Sequence, residues 1–379
     1  MTDKKVLTRR GFLKLAGAGG MGLLGISLFG LTGFDKLLAE AIAEVPVVWI
    51  QGGSCSGCSV SLLNSTSPTI QDVLLGQVIP GKHVSLAFHP TISAGQGDQV
   101  VEILRNYAKG PAGGFVLVVE GAISTKDDGV YCEVGEINGH GITIKQHLED
   151  LASKAMAIIN IGTCSAYGGI PMADPNPTGI KPVQQVLKEA GIATPCVNVP
   201  GCPPHPDWFV GTVATVLIGG LGALDVDQYG RPKAFYGARI HDNCQLRGQF
   251  DQGKFAQDFS DEGCLYKLGC KGPVTHADCP HRKWNSGVNW CIGSGSPCIG
   301  CVEPEFPYKE SLLDVVQIHD ATAPSTYPPI VSRRNNSLSA GVTGVVGAAA
   351  GLAIGVGLAS AKKSNAKSNT PSAPDEKEV

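Results

Sequence analysis

The sequence predicts an α/β fold built on a parallel sheet, followed by an irregular, cysteine-bearing domain. From Val45 to about Gly222, short β-branched runs alternate with helical stretches, the pattern of strands covered by helices on both faces. From about Asp225 to Pro329 that periodicity fades while Cys, Gly and Pro become dense. Such a segment has little apolar core of its own and is expected to be held together by bound metal. With 379 residues there is room for about two domains once the two ends are set aside.

Residues 1–43 are expected to be a signal rather than part of the fold. Thr8-Arg9-Arg10-Gly11-Phe12-Leu13-Lys14 is a twin-arginine signature, followed by an uncharged stretch to Phe34 and Ala-x-Ala sites at Ala39/Ala41 and Ala41/Ala43. The sheet domain, 44–224, has candidate strands at Val47–Ile50, Val84–Phe88, Phe115–Val119, Ala157–Ile161 and Cys196–Val199. Each is apolar on both faces, as buried parallel strands are. The cysteine-bearing domain spans 225–331, and a polar linker, 332–337, leads to the uncharged segment 338–361 and a polar tail, 362–379. A net charge of −3 and a pI near 6.3 give no footprint for nucleic acid. Fifty glycines and 25 prolines imply many loops, but 43% hydrophobic residues exclude a disordered chain.

Eleven of the 13 cysteines and one histidine sort into three groups of four. They are Cys55, Cys58, Cys164 and Cys202; His241, Cys244, Cys264 and Cys270; and Cys279, Cys291, Cys298 and Cys301. Twelve ligands are what three cubane iron–sulfur clusters require, one per iron. Zinc and disulfides are the competing uses of such thiols. Twin-arginine export carries proteins folded in the reducing cytoplasm, which favours metal over disulfide. Zinc sites are usually local knuckles, whereas the first group could converge only through a fold.

The first group is an argument from strand ends. Val47–Ile50 runs into Gln51-Gly-Gly-Ser-Cys55-Ser-Gly-Cys58, with a helix expected from Ser59. Ala157–Ile161 runs into Gly162-Thr-Cys164, and Cys196–Val199 into Pro200-Gly-Cys202-Pro-Pro. In open α/β sheets ligands sit outside the carboxyl ends of the strands. The first loop has the position of a phosphate-binding loop, but no Gly-Lys-Ser/Thr follows it.

Taken together, Cys55-x-x-Cys58, Gly162-Thr-Cys164-Ser and Pro200-Gly-Cys202-Pro-Pro resemble the small subunit of nickel–iron hydrogenases. His241-x-x-Cys244, Cys264-Leu-Tyr-x-Leu-Gly-Cys270-Lys-Gly-Pro and Pro297-Cys298-Ile-Gly-Cys301 extend the resemblance over nearly the whole chain. It implies a flavodoxin-like sheet domain and three clusters, with no catalytic residue in this chain. The Cys55 group would be the proximal cluster, facing a nickel–iron centre held by a separate large subunit. The Cys279 group would be medial, and the His241 group distal, near the electron acceptor. That acceptor would be a cytochrome b, a quinone-linked membrane subunit or a periplasmic carrier. The twin-arginine translocase would be a partner during export.

Departures from the family pattern matter too. Many relatives have proline at the position of Cys291, which leaves three thiolates and a [3Fe–4S] medial cluster. Cys291 implies a fourth ligand and a [4Fe–4S] cluster, as in the nickel–iron–selenium branch. Gly57 and Gly169 occupy the positions of two extra cysteines in oxygen-tolerant relatives, so an ordinary proximal cubane is implied. Cys132 and Cys196 fall outside the twelve and read as plain buried thiols.

Leu338–Ala361 is 24 residues without a charge, long enough for a bilayer. Gly347, Gly351 and Gly355 give it a small-residue face for helix packing. Lys362, Lys363 and Lys367 follow, which would keep the C-terminus cytoplasmic and the body on the periplasmic face. A buried soluble helix is the other reading of that segment. The alternative function is an iron–sulfur electron-transfer subunit of a non-hydrogenase respiratory complex.

Overall fold

The computed structural model describes residues 43–75, 82–308 and 311–318. The signal, the linker, the segment 338–361 and the tail lie outside the described residues, apart from position 43. Among the described residues, no helix is long and apolar enough to cross a membrane.

Among the described residues the strands are, in chain order, β1 (Ala43–Gln51), β2 (Lys82–Phe88), β3 (Val116–Glu120), β4 (Ile123–Ser124), β5 (Glu133–Ile137), β6 (His140–Thr143), β7 (Ala157–Ile161), β8 (Ile180–Lys181) and β9 (Cys196–Val199). Five of them form one parallel sheet in the order β2-β1-β3-β7-β9. Numbering only those five along the chain gives 2-1-3-4-5, the flavodoxin-like order. β5 and β6 form an antiparallel hairpin outside that sheet, and β4 pairs with β8.

The helices that matter are α1 (Gly57–Leu63), α2 (Ile70–Leu75), α3 (Asp98–Lys109), α4 (Ile144–Ala152), α5 (Gly162–Tyr167), α6 (Gly169–Met172), α7 (Val183–Glu189) and α8 (Pro206–Gly219). Because strand side chains alternate, the sheet divides its apolar residues between two cores. Val48, Ile50, Leu117, Val119 and Ile158 pack with Leu104 of α3, Leu148 and Leu151 of α4, and Val186 of α7. Val47, Trp49, Val116, Val118, Ile159 and Ile161 pack on the opposite side with Trp208, Phe209 and Val213 of α8. Helix α4 is locally well specified: Ile144, Leu148 and Leu151 share one face, and its N-cap Thr143 accepts a hydrogen bond from Gln146 N at 3.2 Å.

The second of these cores does not stop at residue 224. Tyr236, Ile240, Leu265, Trp290, Ile292 and Val302 are buried in the same cluster as Trp208 and Phe209. The cysteine-bearing segment therefore rests its apolar residues on one face of the sheet domain. Among the described residues, its own regular structure is limited to short helical turns such as His241–Asn243, Leu265–Leu268 and Cys279–Arg282.

Candidate functional site

The carboxyl ends of the parallel strands converge, and each brings a reactive or polar side chain. After β1 the backbone turns left-handed at Ser56 (φ 62°), so α1 starts at Gly57, two residues before the position expected from the sequence, and Cys58 lies in its first turn. β7 gives way to α5 at Gly162 (φ +86°), where an added Cβ would stand 2.5 Å from Cys58 Sγ. Glycine is thus needed there both for its backbone angle and for the space beside the thiol. Cys164 follows in α5, and Cys202 follows β9 through Gly201. Thr163 ties these loops together. Its N–H donates to Gly201 O at 3.0 Å, its hydroxyl accepts from Gly201 N at 2.9 Å, and that hydroxyl donates to Cys301 O.

These four thiols share one electrostatic neighbourhood. Burial pushes the Cys58 thiol well up, with further increments from Glu120, Cys164, Cys55 and Cys202. Burial also pushes Cys164 up to about 12, aided by repulsion from Cys202 and Cys55. Cys202 is raised by burial and then by Cys55. Cys55 itself is exposed, at the rim of the group.

Cys279, Cys291, Cys298 and Cys301 form a second neighbourhood. Cys279 is raised by burial, then by Cys301 and Cys291. Burial raises Cys298 too, with Cys270 and Cys301 adding to it. Cys301 is pushed up to about 12, mainly by burial; a hydrogen bond from Cys202 opposes this, while Cys291 and Cys202 add repulsion. This group therefore meets the first through the hydrogen bond from the Cys202 backbone to Cys301, and lies within electrostatic reach of the third through Cys298 and Cys270.

His241, Cys244, Cys264 and Cys270 line a single cavity whose other walls include Ile240, Leu246, Leu265, Pro273 and Ile292. Backbone N–H groups aim at two of its sulfurs: Leu246 N lies 3.4 Å from Cys244 Sγ and Gly272 N 3.4 Å from Cys270 Sγ. Burial, reinforced by Arg247, brings His241 down to about 4, so its imidazole is neutral and free to ligate at neutral pH. The backbone joins this cavity to the second group, Lys271 N donating to Cys298 O at 2.6 Å.

The donor chemistry of all three groups fits iron–sulfur clusters. Burial opposes thiolate formation, and a bound cationic metal reverses that by deprotonating its thiol ligands outright. Gly57, Gly162 and Gly169 keep the space beside Cys55, Cys58 and Cys164 clear of side chains, and amides face the outer sulfurs. Among the described residues, no three His, Cys, Asp or Glu side chains close around one point as a single metal ion requires. Cys132 and Cys196 stand apart: burial raises both, Cys196 to about 12, and Cys196 Sγ donates to Thr194 O at 3.3 Å.

A functional feature that sequence reasoning missed is Glu120, the fully buried last residue of β3. Its Oε1 accepts from Cys58 N at 3.2 Å and Ser59 N at 3.3 Å; its Oε2 accepts from Trp49 Nε1 at 3.0 Å and from the Ser59 hydroxyl. The only trace in the sequence is a carboxylate closing an otherwise apolar run before Gly121.

Comparison with known proteins follows the same division of the chain. Residues 236–314 match the family of C-terminal domains of the NiFe/NiFeSe hydrogenase small subunit, and residues 55–216 match the family described as NADH ubiquinone oxidoreductase, 20 Kd subunit. The chain is 45% identical to the periplasmic [NiFeSe] hydrogenase small subunit of Desulfomicrobium baculatum, over 82% of this chain and 99% of that one. It is 39% identical to the quinone-reactive Ni/Fe-hydrogenase small chain of Wolinella succinogenes, over 83% and 87%. The solved [NiFeSe] hydrogenase of Desulfovibrio vulgaris Hildenborough superposes with a TM-score of 0.66 at 47% identity, covering 70% of this chain and 95% of that one. The chain belongs to the nickel–iron hydrogenase small-subunit family. It is the electron-transfer subunit of an oxidoreductase acting on H2, whose catalytic site lies in the large-subunit partner.

The grouping of the thiols predicts which cysteines matter for cofactor content. Cys132→Ser and Cys196→Ser should leave bound iron and acid-labile sulfide unchanged, whereas Cys164→Ala should lower both by about one cluster's worth. Colorimetric iron and sulfide assays on the purified complex would check this. Equal losses in all three variants would contradict the grouping.

Proposed function

We propose that this chain holds three [4Fe–4S] clusters in series and passes electrons between the large subunit's nickel–iron site and an external acceptor during reversible H2 oxidation. The proximal ligands are Cys55, Cys58, Cys164 and Cys202; the medial ones Cys279, Cys291, Cys298 and Cys301; the distal ones His241, Cys244, Cys264 and Cys270. The observation that carries this order is the position of the Cys279 group, within electrostatic reach of Cys202 on one side and Cys270 on the other. When bound, the clusters supply one-electron carriers. The residues contribute fixed positions, exclusion of water and a local field.

The protein's groups differ along this path in ways that suit its two ends. The neutral imidazole of His241 replaces an anionic thiolate at the distal end, which tends to raise the potential there. At the proximal end Cys55 is exposed, Val60 of α1 is 55% exposed, and Ile170, also 55% exposed, donates its backbone N–H to Cys164. An apolar rim around an exposed ligand is the face we assign to the large subunit. The match of residues 236–314 to hydrogenase small subunits favours this reading over a non-hydrogenase respiratory subunit.

A fourth medial ligand is supported by the Cys291 neighbourhood, since its thiol acts on two medial thiols, Cys279 and Cys301, and on only one distal thiol, Cys270. The backbone there (φ −49°) lies close to the range proline imposes, which explains how relatives place proline at this position. Cys291→Pro should therefore fold and convert one cluster to [3Fe–4S], giving a three-iron EPR signal in the oxidised complex. The same signal in the unaltered protein, without oxidative damage, would overturn the four-thiolate assignment.

The reading extends to location. A twin-arginine signal, an uncharged segment at 338–361 and the lysines after it support a body on the periplasmic face, anchored by a helix with a cytoplasmic C-terminus. The acceptor would then be a cytochrome b or quinone-linked membrane subunit, or a periplasmic carrier. Truncation after Ser337 should release the complex from carbonate-washed membranes while leaving H2-dependent dye reduction intact. Release of the untruncated complex by the same wash would contradict the anchor.

A further inference from the structure

The carboxyl end of β2 contributes no ligand, yet it delivers His89 to the proximal site. His89 is 3% exposed and its ring lies 4.9 Å from that of Trp49. Its two nitrogens have separate partners. Thr91 N donates to Nδ1 at 3.1 Å, so Nδ1 is an acceptor and the ring proton sits on Nε2. Nε2 lies 3.0 Å from Ser59 Oγ and donates to it. With its lone pair engaged, the Ser59 hydroxyl turns its own proton to Glu120 Oε2. Burial brings His89 down to about 4, consistent with a neutral ring in this tautomer.

The chain of donors ends next to a ligand. Glu120 accepts from the backbone N–H of Cys58, and its negative charge is the largest influence on the Cys58 thiol after burial. No Lys or Arg pairs with Glu120 among the described residues. Four hydrogen bonds, from Trp49, Cys58, Ser59 N and Ser59 Oγ, hold the carboxylate instead. A negative charge held near a cluster disfavours the reduced state. Each donor aimed at that charge draws it away from the cluster.

We propose that His89 is a positioning residue of the proximal centre: through Ser59 it orients one of the four donors to Glu120 and so sets the reduction potential felt at Cys58. The inference rests on the proximal ligand set given above. The reaction concerned is the one-electron reduction of the proximal cluster, with no bond made or broken in His89, Ser59 or Glu120. β2 thereby joins β1, β3, β7 and β9 in building the same site.

The test is an EPR-monitored redox titration of the purified two-subunit complex, with the medial and distal clusters as internal references. His89→Phe keeps a ring against Trp49 and removes the donor. It should lower the proximal potential, shifting the reduction equilibrium about tenfold, about 59 mV for one electron. Ser59→Ala should lower it similarly, and the double variant no further than either single one, because both act through one hydroxyl. His89→Gln, whose side-chain amide can donate from nearly the same place, should restore the potential. Glu120→Gln should move it the opposite way. If His89→Phe fails to assemble, Ser59→Ala decides alone. An unchanged or raised proximal potential in the donor-removing variants would overturn the inference while leaving the ligand assignment intact. Absence of a proximal signal in the unaltered complex would overturn the ligand assignment itself.

Discussion

A buried thiol does not ionise without a cation close by, and that constraint organises this protein. The sulfurs of the three groups are mostly withdrawn from water, and burial is the largest cause of every upward shift among them. Without a nearby cation, burial keeps such thiols neutral. With iron bound, the same low dielectric strengthens each metal–thiolate bond. Folding of a chain built in this way is coupled to metal loading. The region after residue 224 depends on this coupling most, because its backbone is largely turns and its apolar residues lean on the sheet domain.

The parallel sheet solves the complementary problem of bringing distant residues to one place. Its flavodoxin-like order puts the carboxyl ends of β1 and β3 side by side at the centre, with β7 and β9 on one flank and β2 on the other. Cys55 and Cys58, Glu120, Cys164 and Cys202 descend from four of those ends, and His89 from the fifth. A single hydroxyl, on Thr163, then holds the β7 and β9 loops to Cys301, linking the sheet to the neighbouring thiol group.

Much of this was legible in the sequence, for identifiable reasons. β7 and β9 lie where their largely apolar runs place them, Ala157–Ile161 and Cys196–Val199, and the one polar residue in each is paired with the other, Asn160 Nδ2 donating to Asn198 Oδ1 at 2.8 Å. The glycine- and proline-rich turns after β1, β7 and β9 marked the first thiol group because thiols recur there. Less was visible where local backbone or aperiodic packing decided the outcome. The left-handed residue Ser56 starts α1 before its apolar residues begin. The β5–β6 hairpin leaves no strand pattern in the sequence because its strands are mostly exposed or half-buried. Tyr236, Ile240 and Trp290 follow no period, so their entry into the sheet's core could not be read from spacing. Glu120 and His89 lie far apart in sequence, and only the adjacency of β3, β1 and β2 makes them one network.

The most direct measurement of the central claim is acid-labile sulfide per purified complex, because the clusters assigned to this chain are its source. Three clusters in series predict about twelve sulfides. About four sulfides, or none with zinc in their place, would contradict the account.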